Sequence, residues 1–264
     1  MKKVALTIAV ILGFVVIQPV QAADSKALVI IDSYFDSKVN APNVKCITLL
    51  NVPCTDVVTT TSPSLSSAIN HGNAMVEVAK RQGITSNIIA LRSGAASKTS
   101  VSEMTPANFI DALTWVNNNS SGIGAVSFSR FMNHATKPCM PPASAPYTPD
   151  TADARIKSLI SSLSLKGIQV FAATGNTQGT KIDYPACILN TTSVSTGDLN
   201  KAGIIVSINA LDSNTDYVAS SSITSYSSTV FGLIPQTTSS ATVAVATQYL
   251  KLGVLPTKVV NVFR

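Results

Sequence analysis

Charge is scarce in this sequence. Asp, Glu, Lys and Arg make up 12% of its 264 residues, about half the usual share. Hydrophobic residues reach 45%, and a disordered chain has the opposite balance, so disorder is not the dominant state. The 13 glycines follow no fixed period, which excludes a collagen-like chain. There is no C-x-x-C, and the two histidines, His71 and His134, stand apart, so a zinc site is weakly supported. No G-x-G-x-x-G occurs, and Gly122-Ile123-Gly124 precedes a strand-like run rather than a helix, so no phosphate cradle is indicated. No EF-hand-like acidic run is present. Asp183, Asp212 and Asp216 read as solvated loop acids rather than cation ligands. Neither a metal nor a cofactor is expected. The formal charge is +6, with no Lys/Arg run interleaved with aromatics, which argues against nucleic acid as a partner.

The first residues read as a removable leader. Met1-Lys2-Lys3 is positive, and residues 4–20 are apolar except for Thr7, Gly13, Gln18 and Pro19. Val20-Gln21-Ala22 then offers a cleavage site before Ala23. The rival reading, an uncleaved membrane anchor, is opposed by Pro19 and the small-residue site. Residues 1–22 are thus expected to be a signal peptide, and 23–264 a single secreted or periplasmic domain. Without Lys2 and Lys3, the basic count falls from 19 to 17 against 13 acids, a charge of +4. No Cys follows the site, so a lipid anchor is not expected. No second apolar run reaches about 18 residues, so no membrane contact is expected after cleavage. Four cysteines remain, Cys46, Cys54, Cys139 and Cys187, and an even count after export favours disulfides. Three pairings are open. The short loop favours Cys46–Cys54, which leaves Cys139–Cys187.

The rest of the chain alternates strand-like and helix-like runs. Strands are expected at 27–31, 88–91, 123–128, 168–173 and 204–208. Helices are expected at 67–82, stopped by Gly83, and after Thr105-Pro106, with Phe109, Ile110, Leu113 and Val116 inward. Two more follow, at 151–165 and at 239–250, the last apolar on several sides. The Ser/Thr-rich stretches 59–67 and 219–229 read as polar loops, and the proline-rich 132–150 as a long irregular loop. This order predicts an α/β fold of three layers, a mostly parallel sheet with helices on both faces. In such sheets functional groups gather at the carboxyl ends of strands, which draws attention to Asp32, Ser129 and Asn176.

Each candidate has a bland and a sharp reading. His71 and His134 are the two available imidazole bases for a nucleophile, although a lone His is more often structural. Asp32 ends a buried strand, where a carboxylate is costly unless paired; it is either a turn residue or the orienter of a His. Ser239 in Thr237-Thr238-Ser239-Ser240-Ala241 is either a helix N-cap or a nucleophile at the positive end of a helix. Asn176 after Gly175 is either a turn residue or an oxyanion donor.

In the order Asp, His, Asn, Ser, these segments resemble the subtilisin-like serine peptidases, the subtilase family. Ile30-Ile31-Asp32-Ser33 is similar to the aspartate motif and Asn70-His71-Gly72-Asn73 to the His-Gly-Thr segment at the head of a helix. Ala173-Thr174-Gly175-Asn176 resembles the oxyanion motif, Tyr184-Pro185-Ala186 the Tyr-Pro-Ala segment, and Thr238-Ser239-Ser240-Ala241 the serine motif. Val126-Ser127-Phe128-Ser129 resembles the strand that pairs with substrate backbone. The match runs through nearly all of residues 27–251. Departures are Tyr34, Asn73, Ala74, Arg130-Phe131, Thr237 and Val243, where the family more often has Gly, Thr, His, Leu-Gly, Gly and Pro.

The resemblance implies a subtilisin-like fold and a secreted serine endopeptidase acting on polypeptides. Asp32, His71 and Ser239 would be catalytic, Asn176 the oxyanion donor, and Ser127, Phe128 and Ser129 would bind substrate. It also implies a folding segment after the leader, yet only residues 23–26 precede the first strand. Unaided folding and a separate folding helper or inhibitor both stay open. Two rivals remain: a catalytically impaired peptide-binding module on the same scaffold, prompted by the altered serine motif, and an exported α/β domain binding a small ligand at its strand ends.

Overall fold

In the computed structural model, residues 26–55, 63–94, 104–130, 132, 139–173, 183–191, 206–211, 225–227 and 238–253 are described. Their elements run β1 (Ala27–Asp32), β2 (Val44–Thr48), α1 (Pro63–Arg81), β3 (Ile88–Arg92), α2 (Pro106–Asn118), β4 (Ile123–Phe128), α3 (Pro149–Leu165), β5 (Gln169–Ala173), β6 (Val206–Leu211), β7 (Ser225–Ser227) and α4 (Thr238–Leu252). The strands form one sheet in the order β2-β3-β1-β4-β5-β6-β7. Every ladder in it is parallel.

Burial explains the parallel arrangement. All six residues of β1 and of β4 are buried, and a strand covered on both faces needs the near-continuous apolar run that the sequence displays. Ser127 pairs with Phe171, and Phe128 with Ala172. Phe128 and Phe171 are therefore one residue out of register and point to opposite faces. Phe128 packs on Phe109 of α2, with ring centroids 4.1 Å apart. Phe171 packs on Tyr249 of α4, at 5.4 Å. Helices thus cover both faces, which makes the three-layer α/β architecture.

Helix ends follow local chemistry. Thr105 caps α2 and Thr148 caps α3, each in a capping box with Pro in the first turn. The expected inner face of α2, Phe109, Ile110, Leu113 and Val116, is buried. Gly83 and Gly167 sit at positive φ after α1 and α3, in the left-handed conformation that closes a helix.

Four expectations are corrected. The polar stretch 59–67 is not all loop, because α1 already runs from Pro63; a proline in the first helical turn loses no bond. His71 consequently lies more than two turns into α1, not at its head. Within 219–229, Ser225–Ser227 forms β7 against β6, pairing that serine-rich composition does not signal. Asp183 is buried rather than solvated, and its carbonyl accepts the N–H of Cys187, which is tied to Cys139. The edge strand β2 has no counterpart among the expected strands. It is short, carries exposed Lys45, and is held by a second disulfide, Cys46–Cys54.

Those are the two favoured disulfide pairings, with Cα–Cα distances of 5.4 and 5.5 Å, inside the usual range. Among the described residues no helix is long and apolar enough to cross a membrane.

One close approach fixes α1 on the sheet. A Cβ at Gly72 would collide with the Tyr34 carbonyl and touch the Phe35 ring. Asn73 accepts the Asp36 N–H at 3.1 Å, fastening the segment after β1 to the same helix turn. Helix propensity alone would make Gly72→Ala stabilising by about 1 kcal/mol. We expect the reverse, a net loss of about 1–3 kcal/mol from overpacking against backbone, measured as a lower urea midpoint. A higher midpoint would mean that α1 does not sit this close to β1.

Candidate active site

The chain leaves β1 toward β2 and β3 on one side and later returns to β4 on the other, so β1 and β4 flank the point where strand order reverses. The crevice beyond the carboxyl ends of such strands is the usual ligand site of parallel sheets. Asp32 ends β1, and Ser129 and Arg130 follow β4. Ile31 pairs with Phe128, so the ladder leads Asp32 and Ser129 out of the sheet side by side.

Asp32 has no exposed surface. Its two oxygens have different partners. Oδ2 lies 2.6 Å from His71 Nδ1. Oδ1 accepts the Ser33 backbone N–H at 2.7 Å and the Arg130 Nε–H at 2.9 Å. Burial alone pushes the Asp32 carboxyl up, but the charges and hydrogen bonds of His71 and Arg130 outweigh it and hold it below the ordinary carboxylate range. An ionised carboxylate only accepts hydrogen bonds. The Nδ1 atom of His71 therefore carries the proton toward Asp32, leaving Nε2 as the basic nitrogen in the neutral ring. The His71 side chain keeps 25% of its surface open, so an imidazole held by a buried acid stays accessible to solvent.

Ser239 lies in the first turn of α4, where backbone N–H groups have no partner within the helix and favour negative charge. Its hydroxyl donates to the Ser129 carbonyl at 2.6 Å, and the Ser129 hydroxyl donates back to the Ser239 carbonyl at 3.3 Å. Residues 129 and 130 thus touch both ends of the expected constellation, Ser239 through one residue and Asp32 through the next. Tyr184, in the Tyr-Pro-Ala segment, is buried and donates to Asp153 of α3 at 3.0 Å. Its carbonyl accepts the Met132 N–H, which anchors that segment beside the chain beyond β4.

The expected site residues have different fates. Asp32 and His71 are brought into direct contact, and Ser239 is brought to the end of the neighbouring strand. Ser127 and Phe128 pair with β1 on one side and β5 on the other. They have no free edge for a substrate, and Phe128 faces α2; a periodicity reading cannot tell a central strand from an edge one. Of the three, Ser129 alone lies beyond the ladder. Asn176, His134, Phe131 and Thr237 lie outside the described residues. In the sequence, Arg130 reads only as a departure from a Leu-Gly pattern. Its signal, opposite charges at matching ends of adjacent strands, becomes readable once β1 and β4 are known to be neighbours.

Solved structures place this arrangement in context. No protein-family model and no curated protein matches the sequence. By structure, the chain is similar to the prenylagaramide maturation protease PagA, with a TM-score of 0.54, 13% identity, and coverage of 88% of this chain and 76% of that one. It is similar to a mutant form of the protease domain of PatA, with a TM-score of 0.53, 12% identity, and coverage of 89% and 84%. It is also similar to the nisin leader peptidase NisP from Lactococcus lactis, with a TM-score of 0.50, 12% identity, and coverage of 90% and 81%. These likenesses establish the fold as subtilisin-like, a fold whose neighbours here are proteases.

The Asp32 environment sets a pH dependence. A carboxyl held lower in the folded than in the unfolded chain stabilises the fold above its unfolded value of about 3.9. That contribution fades as pH falls through the folded value. Urea unfolding between about pH 6 and pH 3 should therefore show an acid loss of stability that shrinks in Asp32→Asn. Equal acid losses in the two proteins would mean that Asp32 titrates alike folded and unfolded.

Proposed function

We propose that this protein is an exported serine endopeptidase. The observation that carries the proposal is the buried Asp32 carboxylate held 2.6 Å from a partly open His71, with a serine in the first turn of a helix at the next strand end. His71 takes the proton of Ser239 as the hydroxyl attacks a peptide carbonyl. Asp32 keeps the imidazole in the tautomer that leaves Nε2 free and stabilises the charge that forms. The Ser239 N–H and the Asn176 amide bind the developing oxyanion. The substrate backbone runs along the segment from Ser129 onward, past the end of the β4 ladder. The subtilisin-like fold supports this reading but does not carry it, since one fold hosts several functions.

The compartment follows from the sequence. Residues 1–22 are removed by cleavage after Ala22, and the mature domain acts outside the cytoplasm. Two disulfides fit an oxidising compartment. N-terminal sequencing of the exported protein should begin at Ala23, and a start at Met1 would refute the cleavage.

A second reading has its own observation. The Ser239 hydroxyl is engaged by the Ser129 carbonyl, which is not the partner a nucleophile needs. On that reading the scaffold binds peptides without turning them over. Labelling with a fluorophosphonate separates the two. The peptidase labels at Ser239, and Ser239→Ala loses the label. Asn176→Ala slows peptide hydrolysis by about 10²–10³-fold, and Asp32→Asn by about 10⁴-fold. Labelling of the wild type no greater than that of Ser239→Ala would leave the binding module standing.

A further inference from the structure

The Asp32 carboxylate has two side-chain partners, one on each oxygen. Arg130 and the Ser33 N–H hold Oδ1, while Oδ2 is left to His71. A buried carboxylate free to turn about its Cβ–Cγ bond has no fixed lone pair to offer. With one oxygen gripped by a charged and a neutral donor, the other is fixed toward the imidazole. Charge-assisted hydrogen bonds of this kind are roughly twice as strong as neutral ones. Position matters as well. Arg130 is two residues beyond Phe128, which pairs with Ile31, so the guanidinium reaches the acid from the adjacent strand end. Its side chain stays 28% exposed, whereas Asp32 has no exposure, so the arginine remains partly hydrated while neutralising a charge that is not.

We propose that Arg130 is a positioning residue of this site: its guanidinium locks the Asp32 carboxylate in the orientation that serves His71. The proposal rests on the reading of Asp32 and His71 as catalytic. A cation bound to the acid opposes protonation of the carboxylate. A protonated carboxyl no longer holds the imidazole as an acceptor on both oxygens, so the acid limb of activity follows it.

The elements packed on α1 carry other charges. Asp32 ends β1 and Asp36 follows it, the latter bound to Lys38. At the end of β3, Arg92 lies over the Tyr34 ring. On α4, Lys251 reaches Gln82 at the far end of α1. Along α1 itself, Glu77 pairs with Lys80, and Arg81 is the last helical residue. Of these, Asp32 is the one bonded to the imidazole, and Arg130 is the side chain bonded to Asp32 from across the sheet.

The test uses the mature chain carrying His134→Gln, which leaves His71 as the single histidine. Its ring protons are followed by NMR against pH, and the fluorophosphonate labelling rate is measured in parallel. In Arg130→Met we expect protonation of Asp32, read on the His71 ring, and the acid limb of labelling to move up by about one pH unit. Arg130→Lys, which keeps the charge, should return both midpoints near those of the parent. A purely structural role would lower the melting temperature without moving either midpoint. Unmoved midpoints in a folded Arg130→Met, or an equal shift in Arg130→Lys, overturn the proposal. If Arg130→Met fails to fold, Arg130→Gln takes its place, with the same shift expected. An NMR midpoint that moves in a protein that never labels would sink the peptidase reading and uphold the Arg130–Asp32 coupling.

Discussion

The structure depends on a carboxylate that has lost its water. Asp32 has no exposed surface, and an ionised group in that position is tolerable only with partners that replace hydration. Three donors from three parts of the chain do so: the Ser33 N–H next in sequence, the imidazole on α1 and the guanidinium after β4. None is close to another in sequence, and each arrives through a different packing contact. The pair is therefore a consequence of the whole sheet, and its geometry reports on the whole sheet.

Bringing His71 to Asp32 requires α1 to lie almost against the segment after β1. Gly72 permits that approach because it has no Cβ to strike the Tyr34 carbonyl. The cost is a weak helix former in the middle of a helix. Asn73 offsets part of it by holding the Asp36 N–H. The same three-residue stretch thus supplies the imidazole, the space and the fastening. On the other side of the crevice, Ser129 and Ser239 exchange hydrogen bonds in both directions, which couples the end of β4 to the start of α4. A parallel sheet concentrates these groups because all of its strands end on one edge.

The departures from the resembling family gain physical content in this setting. Arg130 supplies charge to a buried acid where the family more often has an apolar residue. Val243, in place of a proline, is fully buried in α4, and valine keeps a backbone N–H that proline lacks. Tyr34, in place of a glycine, is buried beside Phe35 and lies under the Arg92 guanidinium at 5.1 Å from the ring centroid. Each change swaps one local solution for another while Asp32 and His71 stay in contact.

Much of this is legible without any coordinates. Continuous apolar runs mark β1, β4 and β5, because strands buried on both faces cannot alternate. The Thr105-Pro106 pair marks the start of α2, because capping chemistry is local; the same signal at Thr148-Pro149 is hidden inside a proline-rich stretch that reads as loop. The identities of Asp32, His71 and Ser239 as candidates come from short motifs. What stays hidden is non-local. The edge strands β2 and β7 are made by pairing with β3 and β6, not by their own composition. Ser127 and Phe128 cannot be recognised as walled in until strand order is known, and Arg130 cannot be matched to Asp32 before β1 and β4 are seen to be neighbours. The sequence by itself determined the buried strands, the helices and which side chains are able to carry protons. Tertiary structure alone decided which of those side chains meet, since hydrogen bonds between groups some forty to a hundred positions apart depend on sheet order, and sheet order is not written in any local stretch of chain.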